Sequence, residues 1–279
     1  MRARRMVAVV TALLVLASAC TDDDSDPPEG SRDRTAYVAL GDSFSTGGGA
    51  PPYDGPCARS ELGWPYVVEE ESDLVDSVDL RACGGATIEL LMGTGPRGPS
   101  TTQIPEDPDE DVTLVTLTIG GNDAAAITTI AACAAVDCAP VAGSAQYQTE
   151  LAQITAGLAD EVYPALRTAY PNARLVQVGY PRLTPPADDT VQDCPWLVGA
   201  NRTAPADILE ALNGALEAAT AEVPRLNVEF VDITDALARH ELCTFAPWVH
   251  RVSDGIEALH PTADGYEAIG KAIATALGI

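Results

Sequence analysis

Four short stretches of this chain hold residue types able to transfer an acyl group. Ser43 lies in the run YVALGDSFSTGGG, where an apolar, β-favouring stretch ends at Gly41-Asp42-Ser43 and a glycine-rich segment follows. That pattern reads as a strand that stops and presents a hydroxyl at its carboxyl end, the side on which open α/β sheets bind ligands. A serine hydroxyl is a poor nucleophile unless a base and a fixed position activate it. Gly84-Gly85 can offer a backbone N–H, and Gly120-Gly121-Asn122-Asp123 brings a side-chain amide that can face a developing oxyanion. His260, followed by Pro261 and then a helical pattern, supplies a candidate base in a loop. Each stretch alone is more often an ordinary turn or loop. His240 and His250 lie in less ordered contexts, and neither is read as part of the site.

These residues need a scaffold that places strand ends together. Five apolar stretches rich in β-branched residues read as strands, at 36–40, 77–81, 112–119, 174–178 and 228–232. Helical patterns fall between them at 65–74, 123–135, 145–169 (interrupted at Pro164), 205–223 and 262–277. Thr262 reads as the N-cap of the last helix and Gly278 as its stop. Strands alternating with helices predict an α/β fold: a single-domain three-layer α/β/α sandwich around a mainly parallel five-stranded sheet. No internal repeat and no second linker interrupt it, so one domain is expected over 34–279. Stretches 93–111 and 181–204 are dense in Gly, Pro and Asp and read as irregular loops.

Only 16 lysines and arginines face 41 acids, giving a formal charge of −25. Nucleic acid is therefore not an expected partner, because phosphate binding relies on clustered cations. Anionic membrane surfaces should repel the folded domain. Arg2, Arg4 and Arg5, the apolar run from Met6 to Ala19 and the small residues before Cys20 read as an export signal over residues 1–20. Ala17-Ser18-Ala19 fits ordinary cleavage. Small residues directly before a cysteine also fit a lipoprotein signal in which Cys20 is lipidated, although Ala17 stands where a leucine is usual. Residues 21–33 read as an acidic tether. The expected location is outside the cell membrane, either secreted or held at the surface by Cys20.

Six cysteines follow: Cys57, Cys83, Cys133, Cys138, Cys194 and Cys243. In an exported chain they read as disulfides. Six allow fifteen connectivities, of which nearest-neighbour pairing closes the shortest loops. Each bridge contributes roughly 2–4 kcal/mol. A metal site is poorly supported, because Cys133 and Cys138 lack a second close pair and the histidines are too far apart in sequence to share a helix face.

Ser, Gly, Asn and His occur in that order, the first three each after a predicted strand. The whole of 34–279 resembles the SGNH (GDSL-type) hydrolase family. Gly41-Asp42-Ser43 is similar to its first block, Gly85 (or Gly84) to its second, Gly120 with Asn122-Asp123 to its third, and His260 to its last. GDSFSTGGGAPPY and three ordered cysteine pairs are similar to the exported actinobacterial esterases and lipases of the family. The resemblance implies a flavodoxin-like sheet, three sequential disulfides and no metal or cofactor. It implies Ser43 as nucleophile, His260 as base, and the N–H groups of Ser43 and Gly85 with the Asn122 amide as oxyanion donors. The family's usual Asp three residues before the histidine is here Glu257. Its carboxylate is expected to orient His260, with the backbone carbonyl of that residue or Asp254 as alternatives. Asp42 and Asp123 are read as stabilising their turns.

The expected function is hydrolysis of carboxylic esters, as a lipase or esterase acting on a small-molecule or lipid ester, by a monomer. An O-deacetylase of cell-surface polysaccharide is the alternative within the same chemistry; a surface binding protein that lost catalysis is the alternative outside it. A lipase needs a long apolar groove and a deacetylase a small pocket beside a polar surface. Trp64, Trp196 and Trp248 are the few stacking platforms on offer.

Overall fold

The structure, a computed structural model, describes residues 35–72, 75–95, 102–187 and 194–279. The export signal, the tether and Cys20 lie outside them. Each strand is fed by apolar sequence and each connection between strands contains helix, so all neighbours pair in parallel. The strands β1 (Thr35–Gly41), β2 (Val75–Leu80), β3 (Val112–Thr118), β4 (Arg174–Val178) and β5 (Val228–Val231) take the order β2-β1-β3-β4-β5.

That order reverses between β1 and β3. From β1 the chain moves outward to β2, whereas β3 leads the other way through β4 to β5. Right-handed crossovers then put the connecting helices on opposite faces. Helix α2 (Trp64–Glu71) packs with α8 (Ala263–Leu277), and α5 (Ala145–Gly157) packs with α7 (Ala204–Glu222). Val38, Leu40, Val115, Leu117 and Leu175 fill the sheet between the two helical layers. The crevice at the reversal, outside the carboxyl ends of β1 and β3, is where such sheets bind ligands. Ser43 and Asn122 leave the sheet at those two ends.

Boundaries differ from expectation where local chemistry intervenes. Helix α4 (Ala126–Ala132) is shorter than 123–135, because residues 121–125 form a turn in which Ala125 adopts φ +47°. The long 145–169 pattern divides into α5 and α6 (Tyr163–Ala169). A π-turn, Leu158–Val162, joins them just before Pro164. Widening one turn lets the chain continue past a proline that cannot donate an N–H. Helix α8 starts after Thr262, whose side chain accepts from the Gly265 N–H, and stops at Gly278.

The cysteines pair Cys57–Cys83, Cys133–Cys138 and Cys194–Cys243. All three bridges tie loops rather than strands. No helix among the described residues is long and apolar enough to cross a membrane.

Candidate active site

Gly41 ends β1 with φ +132°, a conformation L side chains rarely adopt, and a Cβ there would collide with the Thr118 carbonyl of β3. Glycine is therefore what lets β1 and β3 turn side by side. Asp42 follows, fully buried, as the N-cap of the short helix α1 (Ser43–Thr46). One carboxylate oxygen accepts from the Phe44 N–H at 2.9 Å and the other from the Tyr180 hydroxyl at 2.6 Å. Burial pushes the Asp42 carboxyl up to about 7, with the Tyr180 hydrogen bond opposing the rise. The Tyr180 oxygen in turn accepts from the Gly121 N–H at 2.8 Å. A buried chain of hydrogen bonds thus joins the Ser43 turn to the Asn122 turn.

Ser43 occupies the first position of α1, where a backbone N–H has no partner within the helix. Its side chain meets His260: Oγ lies 2.8 Å from Nε2. The other ring nitrogen, Nδ1, lies 3.1 Å from the Ala258 carbonyl. A carbonyl only accepts, so Nδ1 carries the proton and Nε2 is left to accept from Ser43. Burial lowers the His260 pKa, with the carbonyls of Ala258 and Glu257 opposing.

In this structure Nδ1 of His260 thus meets the Ala258 carbonyl rather than the Glu257 carboxylate that the family resemblance implied. That carboxylate lies 3.5 Å from the Tyr53 hydroxyl and 3.9 Å from Nδ1 of His250. Asp254 also faces His250, at 3.7 Å. The difference has a local cause. Leu259 is fully buried with φ +63°, which turns the chain so that the Ala258 carbonyl faces the imidazole two residues on.

On the opposite side, Gly85 (φ +76°) has no acceptor for its N–H among the described residues, whereas the Gly84 N–H donates to the Cys57 carbonyl at 2.9 Å. The Cys57–Cys83 bridge and this hydrogen bond hold the turn from both ends. Asn122 Nδ2 donates to the Ala86 carbonyl at 2.8 Å, which leaves its second N–H for another acceptor. Asp123 accepts from the Ile88 N–H, the first residue of α3 (Ile88–Leu91), at 3.1 Å. The Ser43 N–H also has no acceptor among the described residues. Ser43, Gly85, Asn122 and His260 are thus held by elements bonded to one another.

Several contributors are silent in the sequence. Gln103, from a stretch read as irregular loop, clamps the Gly41 peptide: its Oε1 accepts from the Gly41 N–H at 2.7 Å and its Nε2 donates to the Gly41 carbonyl at 2.8 Å. His250, set aside on sequence grounds, lies 2.7 Å through Nε2 from the Gly49 carbonyl. Tyr266 donates to the Gly48 carbonyl at 2.7 Å. The glycine run is needed because a Cβ on Gly48 would press on His260, and one on Gly49 on His260 and His250. Trp64 is core, and Trp248 is stacked by His240 at 3.5 Å.

The His260 segment folds back on itself. The His250 N–H donates to the His260 carbonyl at 3.0 Å, and the Leu259 N–H to the His250 carbonyl at 3.2 Å. Beyond His250, Arg251 and Val252 wall a cleft of about 560 Å³ that Trp196, Leu242 and Phe245 also line. Ala134, just past α4, closes its far side. Segments that follow Asn122 and precede His260 in the chain thus both contribute to its lining.

The model of the GDSL-like lipase/acylhydrolase family matches residues 39–268. A lipase of Streptomyces rimosus is 31% identical over 271 residues, 95% of each chain. The phospholipase A1 of Streptomyces albidoflavus NA297 is similar in structure, with a TM-score of 0.70 at 27% identity over 88% of this chain and 100% of that one. The extracellular lipase of Streptomyces rimosus gives a TM-score of 0.60 at 26% identity, with the same coverage. A match of this length, on a sheet that brings a serine and a histidine together, means that the chain belongs to the GDSL-like lipase/acylhydrolase family and is a serine ester hydrolase.

Proposed function

We propose that the protein hydrolyses lipid acyl esters through an acyl-enzyme on Ser43. The observation that carries the reading is the 2.8 Å contact between Ser43 Oγ and Nε2 of His260. His260 takes the hydroxyl proton as Ser43 attacks the ester carbonyl. The N–H groups of Ser43 and Gly85 and the free amide hydrogen of Asn122 receive the oxyanion. His260 then gives its proton to the leaving alcohol, and water repeats the sequence on the acyl-enzyme. The Ala258 carbonyl positions the ring, and Glu257 is not a member of the relay.

Two observations favour a lipid over a sugar acetate. A cleft beside the segment that precedes His260 is lined by Trp196, Leu242, Phe245 and Val252 together with Thr244, Arg251 and Ser253, and its size falls within the range of about 300–1,000 Å³ usual for ligand sites. The Streptomyces albidoflavus relative is a phospholipase A1. On 4-nitrophenyl esters from acetyl to palmitoyl, kcat/KM should peak among the long chains and vanish in Ser43→Ala. A peak at acetyl would transfer the reading to a deacetylase, and turnover that survives in Ser43→Ala would end the serine mechanism.

Burial lowers the His260 pKa from the ordinary histidine value, which favours the neutral base. The rate kcat/KM should rise with pH through an apparent pKa below about 6.5 and be flat above it. A step near 7 in the same profile would belong to Asp42 instead, and a limb above 7 would contradict a desolvated base.

We infer export as well, in keeping with three disulfides and the extracellular relative. Lipidation of Cys20 is the form proposed for its attachment. The mass of the mature N-terminus should show a diacylglyceryl-modified Cys20; an unmodified start beyond it would leave a secreted enzyme.

A further inference from the structure

Four of the six large apolar side chains left exposed among the described residues lie on the loops that line the cleft beside the His260 segment. Phe245 is 94% exposed and Ile256 89%, and Val136 and Val198 are also exposed. Single apolar residues on a surface are ordinary, whereas a contiguous group drawn from four loops marks a contact surface. Hydrogen bonds and disulfides hold three of these loops together. Asn201 Nδ2 donates to the carbonyls of Cys133 at 3.0 Å and Val136 at 2.9 Å, and the Asn201 N–H donates to the Val198 carbonyl at 3.1 Å. Cys133–Cys138 closes the loop that bears Val136, and Cys194–Cys243 ties the loop of Trp196 and Val198 to that of Phe245. Ile256 belongs to the same segment as Arg251 and Val252, which wall the cleft. Loops stapled in this way lose little freedom on contact.

Charge narrows the partner. The chain carries −25 overall, and Asp254 and Glu257 flank Ile256, so an anionic surface is disfavoured. Arg251 is the one charged side chain among those lining the cleft, and it is exposed. A neutral surface that presents phosphate groups at its boundary suits both facts. We propose that Val136, Val198, Phe245 and Ile256 dock the enzyme on a zwitterionic phospholipid bilayer, with their tips in the headgroup layer and Arg251 against a lipid phosphate. The proposal rests on the lipid-ester reading above and adds the physical form in which the substrate is met.

The test uses the full chain in two forms. Phe245→Trp places a reporter on the face itself, so attachment through the N-terminal apolar segment does not mimic docking. With phosphatidylcholine vesicles its emission should shift to the blue and be quenched by brominated phosphatidylcholine, and much less so with phosphatidylglycerol vesicles. In the triple variant Val136→Ser, Val198→Ser, Ile256→Ser, hydrolysis of dispersed phosphatidylcholine should fall about tenfold or more, while turnover of a soluble short-chain 4-nitrophenyl ester stays unchanged. Exposed positions tolerate these changes without loss of folding. An unquenched Trp on protein that still sediments with vesicles would overturn the proposal, as would equal losses, or none, on the two substrates. A blue shift that grows with protein concentration in the absence of lipid would show that a second copy covers the face. Quenching without turnover of any ester would defeat the lipid-ester reading and leave the docking face standing.

Discussion

Replacing His260 with Ala should lower kcat on a soluble ester by a factor on the order of 10⁶, and Ser43→Ala should cost about the same. The two side chains act as one device, since the serine is reactive only while Nε2 takes its proton across 2.8 Å. The double variant should therefore be no slower than either single one. What remains, roughly 10³–10⁴-fold over water, reflects the oxyanion donors and binding. Glu257→Gln is the informative contrast. Its carboxylate faces Tyr53 and His250 rather than the His260 ring, so the loss should stay within about tenfold. Single-turnover kinetics on folded variants, checked by circular dichroism, measure all four. Multiplicative losses in the double variant would mean that the pair does not act as a unit. A Glu257→Gln loss comparable with that of His260→Ala would restore the carboxylate as the orienting group.

Removal of the Asn122 amide should come next in size. Asn122→Ala should lower kcat about 10²–10³-fold, or ~2.7–4 kcal/mol of transition-state stabilisation, with KM nearly unchanged. The same side chain donates to the Ala86 carbonyl, so the variant also leaves that acceptor without its partner. A stability loss of about 1 kcal/mol should accompany the catalytic one. Asn122→Asp makes the distinction sharper: it keeps the size, removes both donors and sets a negative charge where an oxyanion forms. Its kcat should fall below that of the Ala variant. A raised KM with kcat intact, in either variant, would make Asn122 a substrate-binding group instead.

The strands were legible because a parallel sheet covered on both faces demands near-continuous apolar runs, and 174–178 and 112–119 are such runs. The edge strand β2, read at 77–81, runs over 75–80: the exposed Asp76 breaks the apolar pattern at its start. Ser43, Gly85, Asn122 and His260 stood out because each belongs to a turn or loop whose local sequence constrains it. Tyr180, Gln103, Tyr266 and His250 did not, because their roles exist only across the fold: a hydroxyl on Asp42, an amide on the Gly41 peptide, two groups on the glycine run. The misplaced role of Glu257 has the same origin. The family resemblance implied a carboxylate for the histidine, but a positive φ at Leu259, which nothing in a leucine announces, turns the Ala258 carbonyl to the ring instead.

Ser43 and His260 stand 217 residues apart, close to the two ends of the described chain. During synthesis the serine emerges early and waits, without a base, until almost everything after it has been made. On the proposed mechanism, a chain that stops short of His260 should hydrolyse no ester. On that mechanism the closing segment from His250 to α8 is an arming step, and turnover should first appear once the chain has been made through that segment.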